Sequence, residues 1–132
     1  MSNWFSIEGK TALVTGGSRG IGEMIAAGFL INGARVYINS RKADVCDETA
    51  ARLANTHGGD CVSVPGDISD LGGIENVYNE IAKREERLDI LVNNAGSTWG
   101  APIDEFPESG WDKVMDTNVK GIFFLTQKML PL

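Results

Sequence analysis

The residues best suited to chemistry lie in one short stretch, Thr15-Gly16-Gly17-Ser18-Arg19-Gly20-Ile21-Gly22. An apolar run, Ala12-Leu13-Val14, leads into it, and a helix-like pattern of Ile21, Met24, Ile25, Gly28 and Phe29 leads out. Strand, glycine-rich turn and helix together build a phosphate site. Glycines let the backbone approach an anion closely and adopt positive φ. The helix start then offers unpaired N–H groups and a positive dipole end to a pyrophosphate. The spacing, with Gly16, Gly20 and Gly22, differs from the Gly-x-Gly-x-x-Gly fingerprint. Alone it would suit an ordinary tight turn; between a strand and a helix it reads as dinucleotide binding. Ser40-Arg41-Lys42 forms a second, cationic group at the end of the next apolar run.

The elements that must position these groups alternate between two periodicities. A strand is predicted over 11–15 and a helix over 20–32, ended by Gly33 as a C′ residue. The β-branched and aromatic run Arg35-Val36-Tyr37-Ile38-Asn39 predicts the second strand. Asp44 is the expected N-cap of a helix to about 56, with Cys46, Ala50, Leu53 and Ala54 on its apolar face. Cys61-Val62-Ser63-Val64 predicts a third strand. A helix from near Ser69 to about 86 follows, with Ile74, Val77, Tyr78 and Ile81 in one stripe and a solvated charged end at Lys83 to Arg87. Leu88 to Val92 is almost continuously apolar, which predicts a strand buried on both faces. After a loop over 94–109, Ser109-x-x-Asp112 reads as a capping box opening a single helix over 110–129. Val114, Asn118, Ile122, Leu125 and Met129 run down one side of it. Strands alternating with helices predict an α/β fold, a Rossmann-type doubly wound parallel sheet, in one domain over 1–132.

Composition narrows the classes. The chain has 132 residues, 42% hydrophobic and 23% charged, as expected of a globular domain. A net charge of −6 argues against nucleic-acid or anionic-membrane partners. The apolar run Ile122-Phe123-Phe124-Leu125 is too short to span a bilayer, and Met1 to Phe5 carries no signal-peptide pattern. Cys46 and Cys61 lack metal-ligand spacing, so no metal is expected and reduced thiols in a cytoplasmic protein are the simple reading. His57, before Gly58-Gly59, reads as a helix-end residue.

Four motifs then fall in register: Thr15 to Gly22, Asp67-Ile68 after the third strand, Asn93-Asn94-Ala95-Gly96 after the fourth, and Asn118-Val119 in the last helix. In this the sequence resembles the short-chain dehydrogenase/reductase family, and within it the 3-oxoacyl-carrier-protein reductases. The resemblance implies an oxidoreductase that reduces a ketone or 3-oxoacyl group by hydride transfer, and a homo-oligomer, dimer or tetramer. It implies that Asp67 and the Ile68 backbone bind adenine. Asn94, Ala95 and Gly96 would support the sheet and line the adenosine ribose. Asn118 would be the asparagine of the catalytic tetrad, kinking its helix and holding a proton-relay water, with Gly121 easing the distortion. The rest of that tetrad, a Ser and a Tyr-x-x-x-Lys unit, has no counterpart: neither Tyr37 nor Tyr78 has a lysine four residues on. The expected domain is therefore cut after about four strands and four helices, inactive by itself and prone to associate.

Cofactor choice follows from charge. NAD-binding sites end the second strand with a carboxylate that bonds the ribose and repels a 2′-phosphate. Here Ser40 stands at that position, Arg41 follows, and Arg19 lies in the first turn. Two guanidinium groups flanking the ribose predict NADP. The competing readings are a truncated non-catalytic nucleotide-binding or interaction protein, and a gene fragment without function. Trp99 in the loop Ser97-Thr98-Trp99-Gly100 either lines a substrate mouth or packs on its own domain.

Overall fold

In the computed structural model, residues 3–132 are described; Met1 and Ser2 of the lead-in lie outside them. The elements run β1 (Thr11–Thr15), α1 (Gly20–Ile31), β2 (Arg35–Asn39), α2 (Ala43–His57), β3 (Cys61–Ser63), α3 (Leu71–Ala82), β4 (Ile90–Val92), α4 (Glu108–Met115) and α5 (Ile122–Met129). A short 3-10 turn, Ile103–Glu105, precedes α4, and a π-helical turn, Asp116–Gly121, joins α4 to α5.

The sheet order is β3-β2-β1-β4, and every pairing is parallel. Alternation along each strand divides the core. Leu13 and Tyr37 face one layer with Val64, Ile74, Val77 and Ile81 of the α3 side and Leu125 and Met129 of α5. Val14, Val36 and Ile38 face the other with Ala26 and Leu30 of α1 and Cys46, Ala50 and Leu53 of α2. Helices on both faces of a parallel sheet make the predicted doubly wound, Rossmann-type arrangement.

Several boundaries differ from expectation for local reasons. The short β2–α2 connection starts α2 at Ala43, with Lys42 at the cap position; Asp44 is not the N-cap but lies in the first turn, where its charge suits the helix dipole. Asp70, not Ser69, caps α3 by accepting from the Gly73 N–H at 3.2 Å. That helix ends at Ala82, and Glu85 beyond it is not simply solvated: it pairs with Arg35 at 2.9 Å and accepts from the buried Tyr37 hydroxyl at 2.6 Å. No capping box forms at Ser109, because the Pro107 carbonyl opens α4 by accepting from Gly110 and Trp111. β4 is shorter than predicted and half-buried rather than covered, since it bonds to β1 alone and is an edge. Ala54 is only partly buried; Cys46, Ala50 and Leu53 carry the α2 face. Both cysteines are free, and burial pushes the Cys61 thiol up to about 11. His57 ends α2, and Gly58 turns the chain at φ 72.

Candidate functional site

Parallel strands deliver their following loops to one edge of the sheet, and all the predicted site residues lie on those loops, in the first turn of α1 or on the π turn beside them. The glycines divide the work. Gly16 and Gly20 take φ of 62 and 60, a region in which side chains are strained. A Cβ on Gly16 would stand 3.0 Å from the Ala95 Cα, whereas the space over Gly20 is open. A Cβ on Gly22 would overlap the Gly16 carbonyl oxygen, so only glycine lets α1 start this close to the turn. The first intrahelical bond runs from the Glu23 N–H to the Arg19 carbonyl, leaving the Gly20, Ile21 and Gly22 N–H groups aimed past the helix end. An open glycine cradle facing unpaired N–H groups fits an anionic pyrophosphate.

The turn after β4 is fastened to this cradle. Thr15, fully buried, accepts at Oγ1 from the Asn94 and Ala95 N–H groups at 3.1 and 3.0 Å and donates to the Val92 carbonyl at 3.3 Å. Asn94 Nδ2 donates to the Thr15 and Gly16 carbonyls at 3.1 and 3.3 Å. Gly96 is next: its Cβ position is 3.5 Å from Asn118 Oδ1. Asn118 itself clamps the following peptide groups, accepting from the Ser97 N–H at 2.8 Å and donating to the Ser97 carbonyl at 2.9 Å. It sits within the π turn, the helix distortion expected around it. Gly121 closes that turn, and a Cβ there would press to 2.6 Å from the Ile68 carbonyl oxygen.

The Asp67-Ile68 loop is therefore held between α3 and the π turn. Ile68 is buried in the core. Asp67 is exposed, with Oδ1 accepting from the Ser69 N–H and hydroxyl at 3.0 and 2.7 Å. Ser40 follows Asn39, which is paired with Thr15 across β1 and β2, and the Gly17 N–H donates to the Asn39 carbonyl at 3.0 Å. The loops carrying Ser18-Arg19 and Ser40-Arg41 thus leave neighbouring strands at the same level. Both arginines are exposed, and among the described residues neither pairs with a carboxylate.

Trp99 packs on its own domain. A Cβ on Gly110 would meet its ring at 2.6 Å, and Lys113 Nζ lies 5.8 Å from the ring centroid. Sequence reasoning missed the fasteners: Thr15, Asn39 and Thr49. Asn39 Nδ2 donates to the Val64 and Gly66 carbonyls, and Thr49 donates to the Ser18 carbonyl at 2.9 Å. Only Thr15, at the head of the glycine motif, stood where a pattern could have pointed to it.

A doubly wound parallel sheet with a glycine cradle after β1, fastened to an Asn-Ala-Gly turn after β4, defines a Rossmann-type domain. The short chain dehydrogenase family model matches residues 10–132, and the chain belongs to that oxidoreductase family. It is 50% identical over 132 residues to the rhamnolipids biosynthesis 3-oxoacyl-[acyl-carrier-protein] reductase of Pseudomonas aeruginosa, covering 100% of this chain and 51% of that one. The solved Pseudomonas aeruginosa RhlG/NADP active-site complex superimposes with a TM-score of 0.92 at 50% identity, covering 100% of this chain and 51% of that one. L-sorbose reductase from Gluconobacter frateurii, complexed with NADPH and L-sorbose, gives 0.91 at 32% identity, over 96% and 48% of the two chains. The chain spans about half the length of these relatives.

Proposed function

We propose that this chain carries the cofactor-binding portion of an NADP-dependent reductase acting on a ketone or 3-oxoacyl group. The observation that carries the reading is the placement of Arg19 and Arg41, free of carboxylates among the described residues, on loops leaving paired strands, with uncharged Ser40 at the end of β2. A 2′-phosphate would be gripped there by charge-assisted bonds and would meet no carboxylate. The relatives whose structures hold NADP or NADPH support the same choice.

In this reading Gly16, Gly20 and Gly22, with Ser18 and Ile21, cradle the pyrophosphate. Asp67 and the Ile68 backbone take the adenine, and Asn94, Ala95 and Gly96 line the ribose. The bound cofactor would supply the hydride. Asn118 would hold the loop beside it; its amide keeps one lone pair and one hydrogen beyond the Ser97 bonds, enough to orient a water. A developing alkoxide needs a proton donor, and this chain has no Tyr-x-x-x-Lys. The 132 residues by themselves are therefore proposed to bind cofactor without turnover. A small-molecule carbonyl substrate, homo-oligomeric assembly and cytoplasmic location complete the proposal.

Dissociation constants for NADPH and NADH at fixed salt test it. Arg41→Ala should weaken NADPH about tenfold or more and NADH little, on the scale of one charged hydrogen bond. Ser40→Asp should turn the preference toward NADH. Equal losses for the two cofactors would remove the assignment. Cofactor-dependent ketone reduction by these residues alone would overturn the claim of no turnover.

A further inference from the structure

We propose that Thr49 is a positioning residue for cofactor discrimination, setting the Arg19 side of the 2′-phosphate site from helix α2. The inference rests on the NADP reading above. Thr49 lies in the second turn of α2 and is almost fully buried. A threonine hydroxyl inside a helix ordinarily bonds back to the carbonyl four residues earlier, as Thr126 does to Ile122 at 2.7 Å. Thr49 instead donates to the Ser18 carbonyl at 2.9 Å, across 31 residues of sequence.

That bond fixes one peptide plane. The Ser18–Arg19 peptide is trans and planar, so holding its carbonyl toward α2 turns the Arg19 N–H to the opposite side. Arg19 itself is extended, at φ −161 and ψ 167, and has no side-chain cap to steady it. Its backbone is held on one side by the plane that Thr49 fixes and on the other by the Glu23 N–H bond to the Arg19 carbonyl. The same helix starts two residues after Arg41. Thr49 thus ties the loop bearing one arginine to the helix that begins beside the other, so the backbone positions from which the two side chains project keep a fixed separation. The packing of α1 on α2 does not depend on this hydroxyl. Ala26, Leu30, Cys46, Ala50 and Leu53 share one core, and Arg52 pairs with Glu23 between the helices.

Thr49→Val removes the hydroxyl at nearly constant shape, and Thr49→Ser keeps it. Binding of NADPH and NADH is measured for both by titration calorimetry, with thermal melting as a check on folding. Val should weaken NADPH about tenfold, the scale of one lost hydrogen bond, and NADH severalfold less, because the Ser18 turn serves the pyrophosphate of both cofactors whereas only the Arg19 side meets the 2′-phosphate. Ser should restore NADPH to near the wild-type value. Thr49→Ala, which also lacks the hydroxyl, should reproduce the changed ratio even if Val disturbs folding. Equal losses for both cofactors, or no loss, would overturn the positioning role while leaving the NADP reading intact. A folded wild type that binds NADH as tightly as NADPH would overturn the NADP reading itself.

Discussion

Gly22 shows how a single atom decides the geometry of the cradle. Any side chain there would drive a Cβ into the Gly16 carbonyl, which is backbone and cannot swing aside. Gly22→Ala should therefore separate α1 from the turn, cost about 1–3 kcal/mol of stability as overpacking, and weaken NADPH binding; a denaturant melt and a titration check the two effects. Tyr37 is a second residue with a measurable signature. Burial, then the hydrogen bond to the Glu85 carboxylate and its charge, push its hydroxyl up to about 12 from 10. The unfolded chain loses this proton first as pH rises, so the stability it contributes is whole below pH 10 and is lost between about 10 and 12. Urea melts across that window should show a fall in stability that Tyr37→Phe flattens. At this scale the sequence was legible wherever residue type alone limits the backbone, as at Gly16, Gly20 and Gly22. It was silent about Thr49 and misread Glu85 as solvated, because a hydrogen bond across 31 or 48 residues leaves no local pattern.

Among elements, the broken helix α4–α5 matters most to the site. Its 3.6-residue stripe, Val114 to Met129, reads as one continuous helix, and the stripe does reach the core at Leu125 and Met129. The π turn escapes such a pattern because it inserts bulk without changing residue character. What demands it is tertiary: Asn118 must reach the Ser97 peptide groups while Gly121 passes the Ile68 carbonyl. Gly121→Ala should push the turn off that carbonyl and destabilise the protein by about 1–3 kcal/mol. Asn118→Ala should leave the Ser97 groups without their partner and loosen the loop to Trp99, read as a red shift and greater quenching of tryptophan emission against the same chain with Asn118 kept, Trp4 and Trp111 being Phe in both. The helix starts were misread for a related reason. Pro107 and the tight β2–α2 connection fix where α4 and α2 begin, and capping-type side chains at Ser109 and Asp44 are then carried into the first turn.

The whole molecule is a sheet covered by helices on both faces, with β4 at one edge. Fold class was accessible because alternating βα periodicity admits few topologies. The open edge of β4 was expected of a sheet cut after four strands; the half-burial of its residues was not, since a continuous apolar run cannot say what covers its faces. Its one-sided pairing and half-buried residues predict self-association of the 132-residue chain, as open apolar edges pair with other chains. Light scattering at rising concentration should show growing particles; a monodisperse monomer that melts cooperatively would contradict this.

The central claim is that the loops after β1 and β2 together select a 2′-phosphate, and paired titrations of the unmodified protein with NADPH and NADH at the same salt concentration test it most directly. The arrangement of Arg19, Ser40 and Arg41 predicts NADPH bound at least about tenfold more tightly, with the difference shrinking as salt screens the arginines. NADH bound as tightly as NADPH, or more so, would contradict it.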